Sequence, residues 1–203
     1  MIPPRLDIVL AQAPAGSSGA CLSRIGRELL SQLAARYGFD CPEKHWSARG
    51  KGPPLHPALP RPWHACLSHS DQRIVAGLAS VPVGVDIEHI RPRHRAKLKE
   101  LIALLPEPEV RHEIALSYDP LYSFTQAWTL HEALFKLESL SGTLMSHVLA
   151  TRLAQLVPKG NVKAWQWQQA GWILSICSRY QLEIRTLPNL AVSKYQQPWC
   201  LPD

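Results

Sequence analysis

Apolar and polar positions alternate most regularly over residues 81–90, V-P-V-G-V-D-I-E-H-I, where Val81, Val83, Val85 and Ile87 interleave with Pro82, Gly84, Asp86 and Glu88. A period of two predicts a strand with the four apolar side chains on one face and Gly84, Asp86 and Glu88 on the other. At about 3.3 Å rise per residue the Cα atoms of the two acidic residues stand roughly 6.6 Å apart. The repulsion of two like charges at that separation, at an effective dielectric of ~20, is about 2.5 kcal/mol. A cation between them would reverse the sign, whereas a solvated outer face would dilute it. Gly84, on the same face, leaves room for something bulky against the backbone.

The remaining pattern predicts a mixed chain. A strand over 6–10 and a small-residue loop over 13–19 lead to a helix over 23–37, with Ile25, Leu29, Leu30, Leu33 and Ala34 at helical spacing and Gly38 as its stop. Residues 41–62 are crowded with proline and hold G-K-G-P-P at 50–54, which reads as a surface loop. A strand over 63–70 ends in S-H-S, and the apolar run 74–79 is expected to pair with 81–90 as an antiparallel hairpin. That pairing would carry Ser68 and His69 to the carboxylate end of the sheet. A helix over 95–105 is stopped by Pro106 and Pro108, with irregular chain expected until Asp119. From Leu121 to about Ser139 the apolar residues, among them Phe124, Trp128, Leu130, Leu134 and Leu137, predict the clearest helix. Strands are expected over 149–156, 162–168, 172–177 and 181–186, with a loosely held tail from Pro188. Each half thus reads as a helix followed by an antiparallel hairpin, without a residue-level repeat.

Composition narrows the picture. With 203 residues, 46% of them hydrophobic, the chain has enough material for a core that needs no staples. Five widely spaced cysteines without a C-x-x-C suggest neither a disulfide framework nor a zinc site, and a reducing cytoplasm fits them. Asp7 breaks the only apolar stretch near the N-terminus, which argues against a signal peptide, and no run approaches a membrane span. Twenty-two Lys and Arg against sixteen Asp and Glu leave +6, favouring a phosphorylated small molecule or an acidic protein as partner. No nucleic-acid motif accompanies that charge. The densest basic run, Arg91 to Lys99, reads either as a solvated helix start or as a dock for an acidic partner. Arg24 and Arg27 stand one turn apart on the first helix, spaced to meet an anion or to form a solvated face. Glu132 and Lys136 are four apart in the order that supports a helix by about 0.3–0.5 kcal/mol.

Three stretches in order, S-H-S at 68–70, G-V-D-I-E at 84–88 and W-T-L-H-E-A-L-F-K at 128–136, resemble the motifs of the surfactin-type (Sfp-type) 4′-phosphopantetheinyl transferases. G-K-G-P-P at 50–54 is similar to that family's G-K-P loop with one glycine inserted, so the resemblance covers residues from about 50 to 145. It implies an α+β fold of two similar subdomains packed as a pseudo-dimer, residues 1–83 and 84–203, working as a monomer with coenzyme A in the cleft between them. The implied reaction moves phosphopantetheine from coenzyme A to a serine of an apo acyl or peptidyl carrier protein and releases 3′,5′-ADP.

By the same resemblance Asp86, Glu88 and Glu132 would hold Mg²⁺, with Mn²⁺ as the alternative ion. Glu132 would also be the base for the incoming serine, and Lys136 would neutralise the phosphates. Ser68, His69 and Lys51 would bind coenzyme A phosphates, with Arg24 and Arg27 as further nucleotide contacts. No nucleic acid, membrane or second subunit is called for. One position departs from the family pattern: His131 stands where it has lysine. A lysine there is permanently charged, whereas an imidazole near its ordinary 6.5 is mostly neutral at pH 7, so contact with the diphosphate would make turnover pH-dependent. Two other readings compete: a non-catalytic carrier-binding protein that keeps this fold, suggested by His131, and another metal-dependent phosphoryl-transfer or hydrolytic enzyme that uses the same three carboxylates.

Overall fold

The computed structural model describes residues 3–105, 108–140 and 162–187. The strand expected over 149–156 and the tail from residue 188 lie outside them. Two sheets, each backed by a helix, form an α+β arrangement of helix, sheet, sheet, helix. In the first sheet the order is β2 (His64–Ser70), β3 (Arg73–Ala79), β1 (Arg5–Gln12) and β7 (Glu183–Thr186), with β1 and β7 parallel and the other pairs antiparallel. The second sheet runs β4 (Val83–His89), β6 (Trp172–Ser178), β5 (Lys163–Gln169), all antiparallel.

Helix α1 (Gly19–Arg36) begins where the Ser18 hydroxyl accepts from the Cys21 amide, and ends where Gly38 takes a left-handed φ of 80°. Its apolar stripe, Leu22, Ile25, Leu29, Leu30 and Leu33, is buried on Val9, Ala11, Ile74 and Leu78 of the first sheet. Each leucine so buried stabilises by about 1.5–3 kcal/mol before the entropy of ordering it is subtracted. The opposite face of that sheet, Leu6, Ile8, Leu10 and Val75, packs on Val83, Val85, Ile87, Leu174 and Ile176 of the second. Because β3 is covered on both sides, it is apolar from Ile74 onward and sits inside its sheet.

This arrangement corrects the expected hairpin. β3 pairs with β2 and β1, while β4 crosses to the other sheet and pairs with β6. A two-residue turn, with Asp71 at φ 46°, joins β2 to β3. A second correction concerns residues taken as irregular up to Asp119: α3 (Pro108–Leu116) buries Val110 and Ile114. Pro108 opens that helix instead of ending one, since a first-turn residue needs no amide donor. The helix expected over 95–105 is a 3₁₀ segment, Pro92–Lys97, followed by α2 (Leu98–Ala103).

Helix α4 (Pro120–Leu140) lies on the second sheet over the Gly84 backbone. A β-carbon at Gly84 would collide with the Ala133 carbonyl and stand 2.7 Å from the Leu137 nitrogen. Glycine is what allows the helix to lie against the same face of β4 that carries the two carboxylates.

Among the described residues no helix is long and apolar enough to cross a membrane. Cys21, Cys41, Cys66 and Cys177 are free thiols, and burial pushes the Cys66 thiol up to about 12, where it is unreactive.

Candidate functional site

Strand β2 lies at the edge of its sheet next to β4, and its alternation sorts the S-H-S residues. Ser68 and Ser70, on the face of Cys66, turn toward β4, while His69, on the face of Leu67, turns toward α1. The Ser68 hydroxyl donates to Asp86 Oδ1 at 2.7 Å and the Ser70 hydroxyl to Glu88 Oε2 at 2.6 Å. His69 Nε2 meets the buried Ser23 hydroxyl of α1 at 3.2 Å. Burial, then the charges of Arg49 and Lys136, hold the His69 pKa below the usual imidazole range, so the ring is neutral at pH 7.

From the other side, Trp128, Glu132 and Lys136 form an i, i+4, i+8 stripe of α4 that faces the same space. Lys136 Nζ reaches Asp86 Oδ1 at 2.6 Å, the Ser68 hydroxyl at 3.0 Å and the Val85 carbonyl at 3.2 Å. The second Asp86 oxygen, Oδ2, is buried without a hydrogen-bond partner. Burial pushes the Glu88 carboxyl up to about 7, with the Asp86 charge adding to it. Burial and Asp86 likewise raise Glu132. Three carboxylates therefore face one cleft of about 380 Å³, and two of them are held partly against ionisation. Among the described residues no group of three or more His, Cys, Asp or Glu side chains lies close enough together to hold a metal ion as it stands. The orphaned Asp86 oxygen and the raised Glu88 and Glu132 nonetheless suit a hard cation, which would supply the missing partner and relieve the repulsion.

Of the residues singled out by sequence, Ser68, His69, Asp86, Glu88, Glu132 and Lys136 converge on this cleft. Arg27 also lines it, but its guanidinium donates to the Ser47 carbonyl at 2.9 and 2.7 Å and to the Ser23 carbonyl at 2.9 Å, so it braces the proline-rich loop against α1. Arg24 and Lys51 are exposed and stand outside the lining, although Gly50 and Gly52 on either side of Lys51 belong to it. His131 is fully buried, its ring centroid 6.2 Å from that of Trp128, and does not line the cleft. One residue along a helix turns about 100°, which takes His131 away from the direction of Glu132.

Arg49, Ser23 and Ser70 join the site without having been singled out. The Arg49 guanidinium lies over the first residue of α1, and a β-carbon at Gly19 would meet it at 2.8 Å. Only Ser70 had a sequence signal, its two-residue offset from Ser68 matching that of Glu88 from Asp86. Beside the polar cleft, and sharing Glu132 and Lys136 with it, an annex of about 250 Å³ is walled by Pro53, Ala65, Leu67, Val83 and Phe135.

Fold and site together define a mixed α+β protein with a polar cleft, acidic at its centre and basic at its rim, suited to a phosphate-bearing ligand. The chain is 29% identical over 146 residues to the 4′-phosphopantetheinyl transferase psf-1 of Bacillus pumilus, a match covering 66% of this chain and 58% of that protein. A 4′-phosphopantetheinyl transferase of Bacillus subtilis is 39% identical over 69 residues, 34% of this chain and 30% of its own length. The chain thus spans less than two thirds of these curated relatives. No protein-family model matches it. In these matches the chain is similar in sequence to proteins named 4′-phosphopantetheinyl transferases, the family its three motifs resemble.

Proposed function

We propose that the protein transfers 4′-phosphopantetheine from coenzyme A to the serine hydroxyl of an apo acyl or peptidyl carrier protein, and that it has the two-subdomain, pseudo-dimeric fold of that family, divided near residue 83. The observation that carries the reading is the convergence of Asp86, Glu88 and Glu132 with Lys136 and the S-H-S strand on one cleft. Asp86 through its free oxygen, with Glu88 and Glu132, would hold Mg²⁺ or Mn²⁺. A bound divalent ion supplies charge neutralisation on a diphosphate.

Glu132, its affinity for protons raised by burial, is suited to take the proton of the incoming serine. The serine oxygen forms its bond to the β-phosphorus of coenzyme A, the bond from that phosphorus to the bridging oxygen breaks, and 3′,5′-ADP leaves. Lys136, already directed into the carboxylate set, is placed to follow the negative charge onto the leaving group. Neutral His69 and Ser68 serve as hydrogen-bonding partners for phosphate oxygens. Lys51 and Arg24 reach the nucleotide only by folding in from the rim, and Arg27 contributes charge while bracing the loop. The apolar annex suits the pantetheine arm.

The carrier is assigned to the side of Arg93, Lys97 and Lys99, which are exposed, whereas Arg91 of the same run turns inward. An acidic carrier docked there would be released by salt. Free thiols and the single-chain cleft support a monomer at work in the cytoplasm. Incubating the protein with MgCl₂, coenzyme A and an apo carrier, then weighing the carrier, tests the reading. A gain of one phosphopantetheine is expected, and it should vanish in Asp86→Ala. Carrier binding without mass gain, or phosphate release without a carrier, would replace this reading with a binding protein or a different phosphoryl-transfer enzyme.

A further inference from the structure

Each of the two β4 carboxylates is met by a β2 serine, and each serine is met in turn by a cation. Lys136 Nζ donates to the Ser68 oxygen at 3.0 Å while Ser68 donates to Asp86 Oδ1 at 2.7 Å. Arg91 Nη2 donates to the Ser70 oxygen at 2.8 Å while Ser70 donates to Glu88 Oε2 at 2.6 Å. A serine has one proton, and ammonium and guanidinium groups can only donate. Where the cation occupies the serine lone pair, the proton has to point at the carboxylate.

The two arms differ in where their cations are anchored. Lys136 belongs to the cleft itself. Arg91 is anchored outside it, on Asp71 at 2.9 Å, and Asp71 also receives His89 Nδ1 at 2.9 Å. His89 is stacked on Trp172 at 4.5 Å between centroids. Asp71 occupies the left-handed turn between β2 and β3, a conformation that aspartate tolerates better than most residues. The arm from Asp71 through Arg91 and Ser70 to Glu88 therefore links the β2–β3 turn and the segment just after β4 to a strand of each sheet.

We propose that Ser70, oriented by Arg91, is a positioning residue that fixes Glu88 through Oε2 and leaves Oε1 as the oxygen presented to a divalent cation. The inference rests on the reading of Asp86, Glu88 and Glu132 as a cation site. Ser68 does the same for Asp86, whose remaining oxygen is the orphaned Oδ2. Without the Ser70 hydroxyl, the Glu88 side chain regains rotamers that turn it from the cleft, and cation affinity falls while the remaining ligands stay intact. Groups that orient a metal ligand from behind typically account for 10–100-fold in affinity.

The test is titration of the protein with MnCl₂ in the presence of coenzyme A, followed by the electron paramagnetic resonance signal of free Mn²⁺. Ser70→Ala should weaken binding about tenfold, Arg91→Gln should weaken it in the same direction, and Ser70→Thr, which keeps the hydroxyl, should bind within about twofold of the natural chain. Coenzyme A binding in EDTA should be unchanged in all three. If Ser70→Ala binds Mn²⁺ as the natural chain does, or only its melting temperature falls, the positioning role is overturned while the cation site stands. If the natural chain itself binds no Mn²⁺, the cation site and this inference fall together. Should Ser70→Ala not fold, Arg91→Gln decides alone: normal affinity in that variant overturns the inference.

Discussion

Replacing Glu88 by glutamine probes the electrostatic design of the cleft without removing the acceptor that Ser70 needs. Burial, reinforced by the Asp86 charge, pushes this carboxyl up to about 7 from its ordinary 4.5, against the opposing Ser70 bond and the Arg91 and Lys136 charges. A carboxyl whose folded value is raised contributes stability that is complete below pH 4.5 and is lost as pH climbs through 7. At 1.36 kcal/mol per factor of ten, the full difference is about 3 kcal/mol, of which about 2.5 kcal/mol develops between pH 5 and pH 8. Glutamine does not ionise and escapes that loss. Urea unfolding in EDTA should therefore find Glu88→Gln gaining about 2.5 kcal/mol on the natural chain between those two pH values. Added MgCl₂ at pH 8 should stabilise the natural chain more than the variant. Parallel pH profiles, within about 0.5 kcal/mol, would refute the claim that Glu88 is held against ionisation.

Gly84→Ala should destabilise by about 1–3 kcal/mol and lower turnover, because the colliding atoms are the α4 backbone at Ala133 and Leu137; unchanged urea midpoint and activity would contradict the close approach. Lys136→Met should reduce stability by about 2 kcal/mol, below the usual loss from a buried pair because Lys136 keeps 32% of its side chain exposed. Combining it with Asp86→Asn should recover most of that, and strict additivity of the two changes would remove the coupling. His131→Lys should lower the melting temperature, since position 131 is fully enclosed and an ammonium there lacks water. An unchanged melting point with faster turnover would instead put residue 131 on the diphosphate.

Local periodicity carried much of this. Strand β4 and the α4 stripe were legible because alternation by two and by four sorts side chains onto faces whatever the tertiary context, and the i, i+4 relation of Glu132 to Lys136 survives intact. Strand partners were not legible: a run such as 74–79, apolar on both faces, is equally compatible with a hairpin to 81–90 and with the interior of another sheet. Pro108 misled because the same ring that ends a helix also starts one. The conditional contact of His131 with the diphosphate was suggested by motif position alone, and the helix turns that side chain into the interior. Ser23 and Arg49 reach the cleft through packing between segments far apart in sequence, which leaves no short-range signature.

The parallel pairing of β7 with β1 has a consequence for biosynthesis. Arg185 Nε donates to the buried Asp7 at 3.0 Å, and β1 is synthesised long before the strand that completes its sheet. During that interval β1 offers a bare hydrogen-bonding edge to other nascent chains. Deleting β7 would make that temporary exposure permanent and favour edge-to-edge aggregation.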